Sequence, residues 1–206
     1  MGGLKFKSTI DAGIALIHII RSGWSRNYLT STLTFNITQF FPSLNHCFLT
    51  RIIHKAGLNY WVVNFFDNYL NDRKTSYKWN SFLLPIVNIN VGVGQRSTLS
   101  PILSALYFSS FLYILEKCLK NLKIPISIIS FIDDKLLISL NKSLNVSNSH
   151  LFCSYNVVTN LLDKFGLIVE YLKTDVFHFS RLYDLFNPPS LDLLPLGSPI
   201  LSPKSS

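Results

Sequence analysis

The sequence predicts an α+β domain in which an antiparallel sheet carries helices packed on one face. Three observations predict it. Short runs rich in β-branched and aromatic residues alternate with longer stretches of helical periodicity, in the order strand, helices, strands, helix, hairpin, helix, strands. Two apolar β runs flank a short polar stretch, the pattern of an antiparallel hairpin. And 206 residues, 48% of them hydrophobic, are enough for one domain with a sizeable core.

Each element follows from local chemistry. Asp11 precedes AGIALIHII and can cap a helix by accepting its free backbone N–H groups. Residues 31–37 (STLTFNI) alternate and are rich in β-formers, so they predict a strand. Pro42-Ser43 breaks the chain; helices are expected around Asn45 to Lys55 and around Tyr60 to Leu70. Residues 74–79 and 84–93 are β-like, with Pro85 placing the second run late or at an edge. A longer helix begins near Ser100-Pro101, since Pro suits a first turn. Its expected inner face is Leu103, Leu106, Tyr107, Phe111, Ile114 and Leu115. Residues 126–132 and 136–140 are two β runs, and Asp133-Asp134-Lys135 between them predicts a hairpin tip. Residues 151–165 predict a helix closed by Gly166, and a strand pair follows at 167–172 and 176–179. The segment after Asn187 is rich in Pro, Ser and Leu and resembles a linker or cut end.

Composition narrows the function classes. Charged residues make up 15% of the chain, below the roughly 25% of ordinary soluble domains. The formal net charge is +8, which suits a polyanionic partner such as nucleic acid, or simply a basic surface. Cys47, Cys118 and Cys153 are far apart and odd in number, which argues against a disulfide framework. A reduced intracellular compartment, nuclear or cytoplasmic, is expected, and no secretion signal is evident. The uncharged stretch from Ser97 to Leu115 approaches the length of a membrane span. With Pro101, several hydroxyl residues and a one-sided apolar face it predicts a buried core helix and no membrane association.

Two adjacent carboxylates, Asp133 and Asp134, need a reason to sit between apolar strands. Like charges raise each other's pKa unless a cation neutralises them. Hard oxygen donors suit Mg²⁺, which takes one or two carboxylates plus substrate phosphates, so a two-metal phosphoryl-transfer site is one reading. A polar β-turn is the other, because Asp is a common turn residue.

The neighbouring motifs favour the first reading. Phe131-Ile132-Asp133-Asp134 resembles the aromatic-x-Asp-Asp box of reverse transcriptases of non-LTR, LINE-like retrotransposons. Gly92-Val93-Gly94-Gln95-Arg96-Ser97-Thr98-Leu99-Ser100-Pro101 resembles their Gly-x-x-Gln-Gly-Ser-x-Leu-Ser-Pro box. Phe35 to Phe41 (FNITQFF) stands where the first acidic box belongs, and Gly166-Leu167 with Lys173-Thr174 resembles the later Gly-Leu…Lys-Thr box. Ser8-Thr9-Ile10-Asp11-Ala12 is similar to the upstream Ser-Thr-x-Asp-Ala segment. The resemblance covers roughly Lys5 to Arg181, and the five pieces stand in the family's order.

The resemblance implies a polymerase palm at residues 31–181, a remnant of fingers at 1–30 and a tail or linker at 182–206. It implies an RNA-directed DNA polymerase using an RNA template, a DNA primer, deoxynucleoside triphosphates and Mg²⁺. Asp133 would ligate metal with Asp134 supporting it, and Asn36 would occupy the first catalytic position. Phe41 would lie under the incoming sugar, Gln95 and Arg96 beside the nucleotide, and Lys173 would protonate the pyrophosphate leaving group. Arg73 and Lys74 would touch template or primer phosphates. The blander readings are an ordinary core Phe41, a satisfied turn Gln95, a solvated Lys173 and a solvated basic pair at Arg73-Lys74. His46, His54 and His178 lack metal-ligand spacing and are expected to be structural or surface residues.

Two departures cut against activity. Asn36 stands where the family has Asp; a neutral amide cannot bridge two dications as a carboxylate does. Arg96 stands where the family has Gly and adds bulk beside the nucleotide. Each change can arise from one G-to-A transition, as in a decayed element copy. The expectation is therefore an impaired or inactive polymerase fragment with weakened Mg²⁺ binding, or a non-catalytic nucleic-acid-binding remnant or pseudogene product. No thumb segment is visible, so a thumb or a partner chain is expected to be missing.

Overall fold

The computed structural model describes residues 8–94, 97–131 and 134–181. The chain divides into two compact units, residues 1–38 with 111–206 and residues 39–110.

The first unit is built on a four-stranded antiparallel sheet. Its strands are β1 (Leu29–Ile37), β6 (Ile126–Phe131), β7 (Asp134–Asn141) and β8 (Val169–Phe179), in the spatial order β6-β7-β1-β8. Strands β2 to β5 belong to the second unit. β6 and β7 form the expected hairpin, with Phe131 paired to Asp134. Asp134 and Lys135, two of the three residues expected in the hairpin tip, are thus strand residues of β7.

Strand pleating assigns the faces, because successive side chains alternate. Leu33, Phe35, Ile37, Leu137 and Ser139 are buried on one face. Helix α6 (Leu144–Lys164) packs there, with the Tyr155 ring edge-on to Phe35 at 6.1 Å. This helix starts earlier than the periodicity indicated, at Leu144 and not 151. Its end matches the expectation. Gly166 has φ +68°, its N–H donates to Asp163 O at 2.9 Å, and the Leu167 N–H donates to Leu162 O at 2.9 Å. This paired closure requires a left-handed residue, which glycine supplies without strain.

Helix α1 (Thr9–Ser25) adds a cover on the other face, against β1 and β6. Its cap is Ser8, not Asp11. The Asp11 N–H donates to Ser8 Oγ at 3.4 Å, and the Asp11 carboxylate accepts from the Ser8 N–H at 2.6 Å, a reciprocal capping box. Gly23 lets this helix approach the sheet: a Cβ there would lie 2.6 Å from Leu140 Cδ2 and 2.9 Å from Thr30 Oγ1.

β8 is one strand where a pair was expected. Thr34 pairs with Asp175 and Asn36 with Glu170, so Tyr171 to Thr174 bulge out opposite Phe35 alone. The break expected between residues 172 and 176 falls at this bulge, which interrupts the alternation without ending the strand.

The second unit holds α2 (Phe40–Ser43), α3 (His46–Lys55), α4 (Tyr60–Leu70), four two-residue strands and the start of α5 (Ser100–Asn121). Pro42 lies within the short α2 and does not simply break the chain. Asn45 caps α3, accepting the Phe48 N–H at 3.0 Å. The two long β runs are broken into β2 (Lys74–Thr75), β3 (Lys78–Trp79), β4 (Phe82–Leu83) and β5 (Val87–Asn88), paired β2-β5 and β3-β4. α5 runs through both units and is long and apolar enough to cross a membrane by length and composition. Leu103, Tyr107, Phe111 and Leu115 of its expected face are buried, joined by Phe108 and Leu119, whereas Ile114 is exposed.

Candidate active site

The strand register of the first unit brings the acidic residues together. Asn36, near the end of β1, is paired with Asp134 of β7 on one side and with Glu170 of β8 on the other. Directly paired residues point to the same face, so Asp134, Asn36 and Glu170 form a row of oxygen-bearing side chains across three strands. Asp134 is exposed, while Asn36 and Glu170 are half-buried. A cleft of about 330 Å³ opens on this face, lined by Asn36, Thr34, Phe131 and Asp134 from the sheet and by Thr9 and Gly13 from α1.

Lys173, from the β8 bulge, places Nζ 3.1 Å from Glu170 Oε2. The bulge is held at its far end by Thr174, a buried residue whose Oγ1 donates to Glu170 O at 3.3 Å. Lys173 therefore reaches the same corner of the sheet as Asn36, through Glu170. Asp133 lies outside the described residues. Among the described residues no group of three or more His, Cys, Asp or Glu side chains is arranged to hold a metal. What the row offers a hard cation is the Asp134 carboxylate, the Asn36 amide oxygen and a Glu170 carboxylate shared with Lys173. These are oxygen donors of the right kind for Mg²⁺, with one negative charge fewer than three carboxylates would supply.

In the second unit the glycine box is a folded bracket. Gly92 donates its N–H to Leu44 O at 2.7 Å, and the Val93 N–H donates to Phe41 O at 2.9 Å. The Gly92 carbonyl accepts from the buried His46 Nε2–H at 2.6 Å and from Arg73 Nη1 at 3.2 Å. Gly92 has φ +85°, and a Cβ there would lie 2.8 Å from the Pro42 carbonyl oxygen. Only glycine fits both the conformation and the approach. The bracket continues into α5, where Ser100 Oγ donates to Gly94 O at 2.6 Å. Ser100 therefore ties the helix start to the glycine loop.

The remaining sequence candidates are placed as follows. Phe41 is half-exposed in α2, its ring tilted against Phe40 at 5.6 Å. Arg73 is engaged by Gly92 O and lies over the Tyr69 ring, 5.2 Å from its centre. Lys74 is exposed at the start of β2. Gln95 and Arg96 lie outside the described residues. His46 is structural, His54 pairs with Asp67 at 2.9 Å, and His178 Nδ1 meets Ser31 Oγ at 2.9 Å. Burial lowers the His178 pKa below its ordinary value.

Glu170 was missed by sequence reasoning, whereas His46 is structural as expected. Glu170 is 134 positions beyond Asn36 in the chain, and only the strand register reveals that they are neighbours.

No family model and no curated protein sequence matches this chain. Solved structures do. Telomerase of Candida tropicalis in complex with a TWJ fragment of telomeric RNA superposes with a TM-score of 0.64 at 15% identity, over 85% of this chain and 30% of that one. The apo telomerase of Candida tropicalis gives a TM-score of 0.63 at 13% identity, over 86% and 33% of the two chains. Telomerase of Candida albicans with the TWJ fragment gives 0.56 at 15% identity, over 91% and 33%. The chain thus spans about a third of the length of these telomerases. At these identities the likeness is one of fold: the chain shares the α+β fold of that part of the telomerases.

Proposed function

We propose that this chain is the palm portion of a reverse transcriptase of the non-LTR kind, with its RNA-directed DNA polymerase chemistry impaired by Asn36. The carrying observation is the register that sets Asn36 opposite Asp134 on the central sheet. That is the place a first metal-binding Asp would occupy beside an Asp-Asp pair. In this reading residues 31–181 form the palm, 1–30 a part of the fingers and 182–206 a tail, acting on an RNA template and DNA primer inside the cell.

The reaction is attack of a primer 3′-hydroxyl on the α-phosphorus of a deoxynucleoside triphosphate, with pyrophosphate leaving. Mg²⁺ bound at Asp133 and Asp134 would supply charge neutralisation for the phosphates. Asn36 offers a neutral oxygen where a carboxylate would bridge. Phe41 would bound the sugar pocket, with Gln95 and Arg96 beside the nucleotide. Lys173, on leaving Glu170, would give its Nζ proton to the departing pyrophosphate.

Losing one bridging carboxylate removes about 4 kcal/mol or more of transition-state stabilisation, on the order of a thousandfold in rate. The test is primer extension on an RNA template, comparing the unaltered chain with Asn36→Asp and with Asn36→Asp/Arg96→Gly. Extension should be absent or feeble in the first, recover in the second and rise further in the third. Equal extension by the unaltered chain and Asn36→Asp would overturn the reading. Asn36 together with the +8 charge favours a second reading, a nucleic-acid-binding remnant without catalysis.

A further inference from the structure

We propose that the hairpin formed by β3 and β4 is a stacking platform for unpaired bases of a single-stranded nucleic acid. The hairpin turns through Asn80, which has φ +53°, and Ser81. Trp79 is paired directly with Phe82, and Lys78 with Leu83. The Leu84 N–H donates to Tyr77 O at 2.8 Å, which carries the same ladder one pair further. Pleating then places Tyr77, Trp79 and Phe82 on one face and Lys78 on the other.

These three rings are not core. Tyr77 is 67% exposed, Trp79 75% and Phe82 77%. Three adjacent aromatic side chains left in solvent on a short hairpin cost hydrophobic free energy that burial elsewhere would recover. An aromatic face presented this way suits flat, unpaired bases, which stack on it whatever their identity.

Charge decides the occupant. From Arg73 to Leu115 the sequence has no Asp or Glu, while Arg73, Lys74 and Lys78 lie in the hairpin and its base. Lys74 and Lys78 are exposed, and β2 and β5 anchor the base through Lys74 paired with Asn88 and Thr75 with Val87. Rings for bases and cations for phosphates complement a polyanion with exposed bases. A double helix would hide its bases from these rings.

This platform goes beyond polymerase chemistry and does not rest on it, since it needs neither Asn36 nor a metal. Binding is therefore measured without Mg²⁺ or nucleotides, on the full chain, by fluorescence anisotropy with labelled oligo(dT) and oligo(rU) of 20 nucleotides and with a duplex of equal length. Single strands should bind more tightly than the duplex. Tyr77→Ala, Trp79→Ala and Phe82→Ala should each weaken single-strand binding about tenfold, with Trp79→Phe close to the unaltered chain. Lys74→Ala/Lys78→Ala should flatten the salt dependence. Quenching of Trp79 fluorescence by oligo(dT), absent in Trp79→Phe, reports stacking directly. Unchanged single-strand affinity in all three alanine variants would overturn the proposal. So would capture of the chain by phosphatidylcholine–phosphatidylserine vesicles through the same rings without any oligonucleotide binding, which would make this face a membrane contact.

Discussion

The glycine bracket of the second unit and the acidic row of the first unit depend on different physics. In the bracket the backbone is tied at several points: the Gly92 N–H bonds Leu44 O, the Val93 N–H bonds Phe41 O, and the Gly92 carbonyl takes both His46 and Arg73. In the row, the central position holds the Asn36 amide between the Asp134 and Glu170 carboxylates, and the strand pairing around it is regular on the β7 side. Backbone scaffolding depends on shape and hydrogen bonding, which an Asp-to-Asn change leaves intact, because the two side chains are nearly isosteric. Chemistry depends on one charge, which the same change removes. The fold should therefore tolerate either side chain at position 36, while the chemistry of the row should not.

The bracket is the place where a single methyl should do most harm. Gly92→Ala forces a residue with a side chain into φ +85° and drives its Cβ to 2.8 Å from a backbone oxygen. We expect a loss of about 3 kcal/mol, read as a lower urea midpoint at unchanged slope. Gly57→Ala is the control. Gly57 also has positive φ, +68°, but a Cβ there meets nothing within 4 Å. Only the left-handed backbone penalty remains, about 1 kcal/mol. Equal losses at the two positions would show that the approach to Pro42 contributes nothing.

At the row, the sign of a mutation should depend on the metal. Asn36→Asp places a third carboxylate between Asp134 and Glu170, on paired positions of adjacent strands. Without divalent cations we expect about 1 kcal/mol of destabilisation from like-charge repulsion. Added Mg²⁺ should recover it and raise the melting temperature with concentration, because an ion that binds only the folded chain stabilises it. A melting temperature of Asn36→Asp that is indifferent to Mg²⁺ would separate the row from any metal-binding role.

The legible parts of this molecule are those in which function and local structure share a short stretch of chain. β1, the β6-β7 hairpin and the Gly166 closure each follow from residues within one turn or one strand. The glycine box was recognisable as a motif, but its partner, Pro42, is fifty residues earlier, and nothing local announces that contact. The bulge at Tyr171 to Thr174 hid the continuity of β8, because a strand that breaks alternation looks like two. Glu170 was invisible for the same reason: its neighbourhood is set by the pairing of β8 with β1, not by its own sequence. Asp134 was read as a turn residue because Asp favours turns, yet pairing with both Phe131 and Asn36 holds it in the strand.

Beyond the row, the same sheet should show a pH dependence from His178. Its imidazole sits opposite Ser31, and burial lowers its pKa below the ordinary 6.5. The unfolded chain then binds the proton more readily than the folded one. The sheet's full stability is thus present above about pH 6.5 and declines as pH falls toward the lower folded value. His178→Gln should reduce this slope in urea titrations between pH 8 and pH 5. An identical slope in the variant would assign the dependence to other groups.

The smallest stability effect belongs to Lys173, and it separates packing from chemistry. Its ion pair with Glu170 is exposed, so Lys173→Ala should change stability by less than about 0.5 kcal/mol. If its ammonium serves as the acid for pyrophosphate, the same change in an Asn36→Asp background should slow single-turnover extension by about a hundredfold. It should also erase the alkaline limb of the pH–rate profile. The bulge buries Thr174 and holds Lys173 out of the ladder, exposed beside Glu170. A variant that matches its parent in both stability and rate would leave the bulge as a local irregularity and Lys173 as a solvated cation.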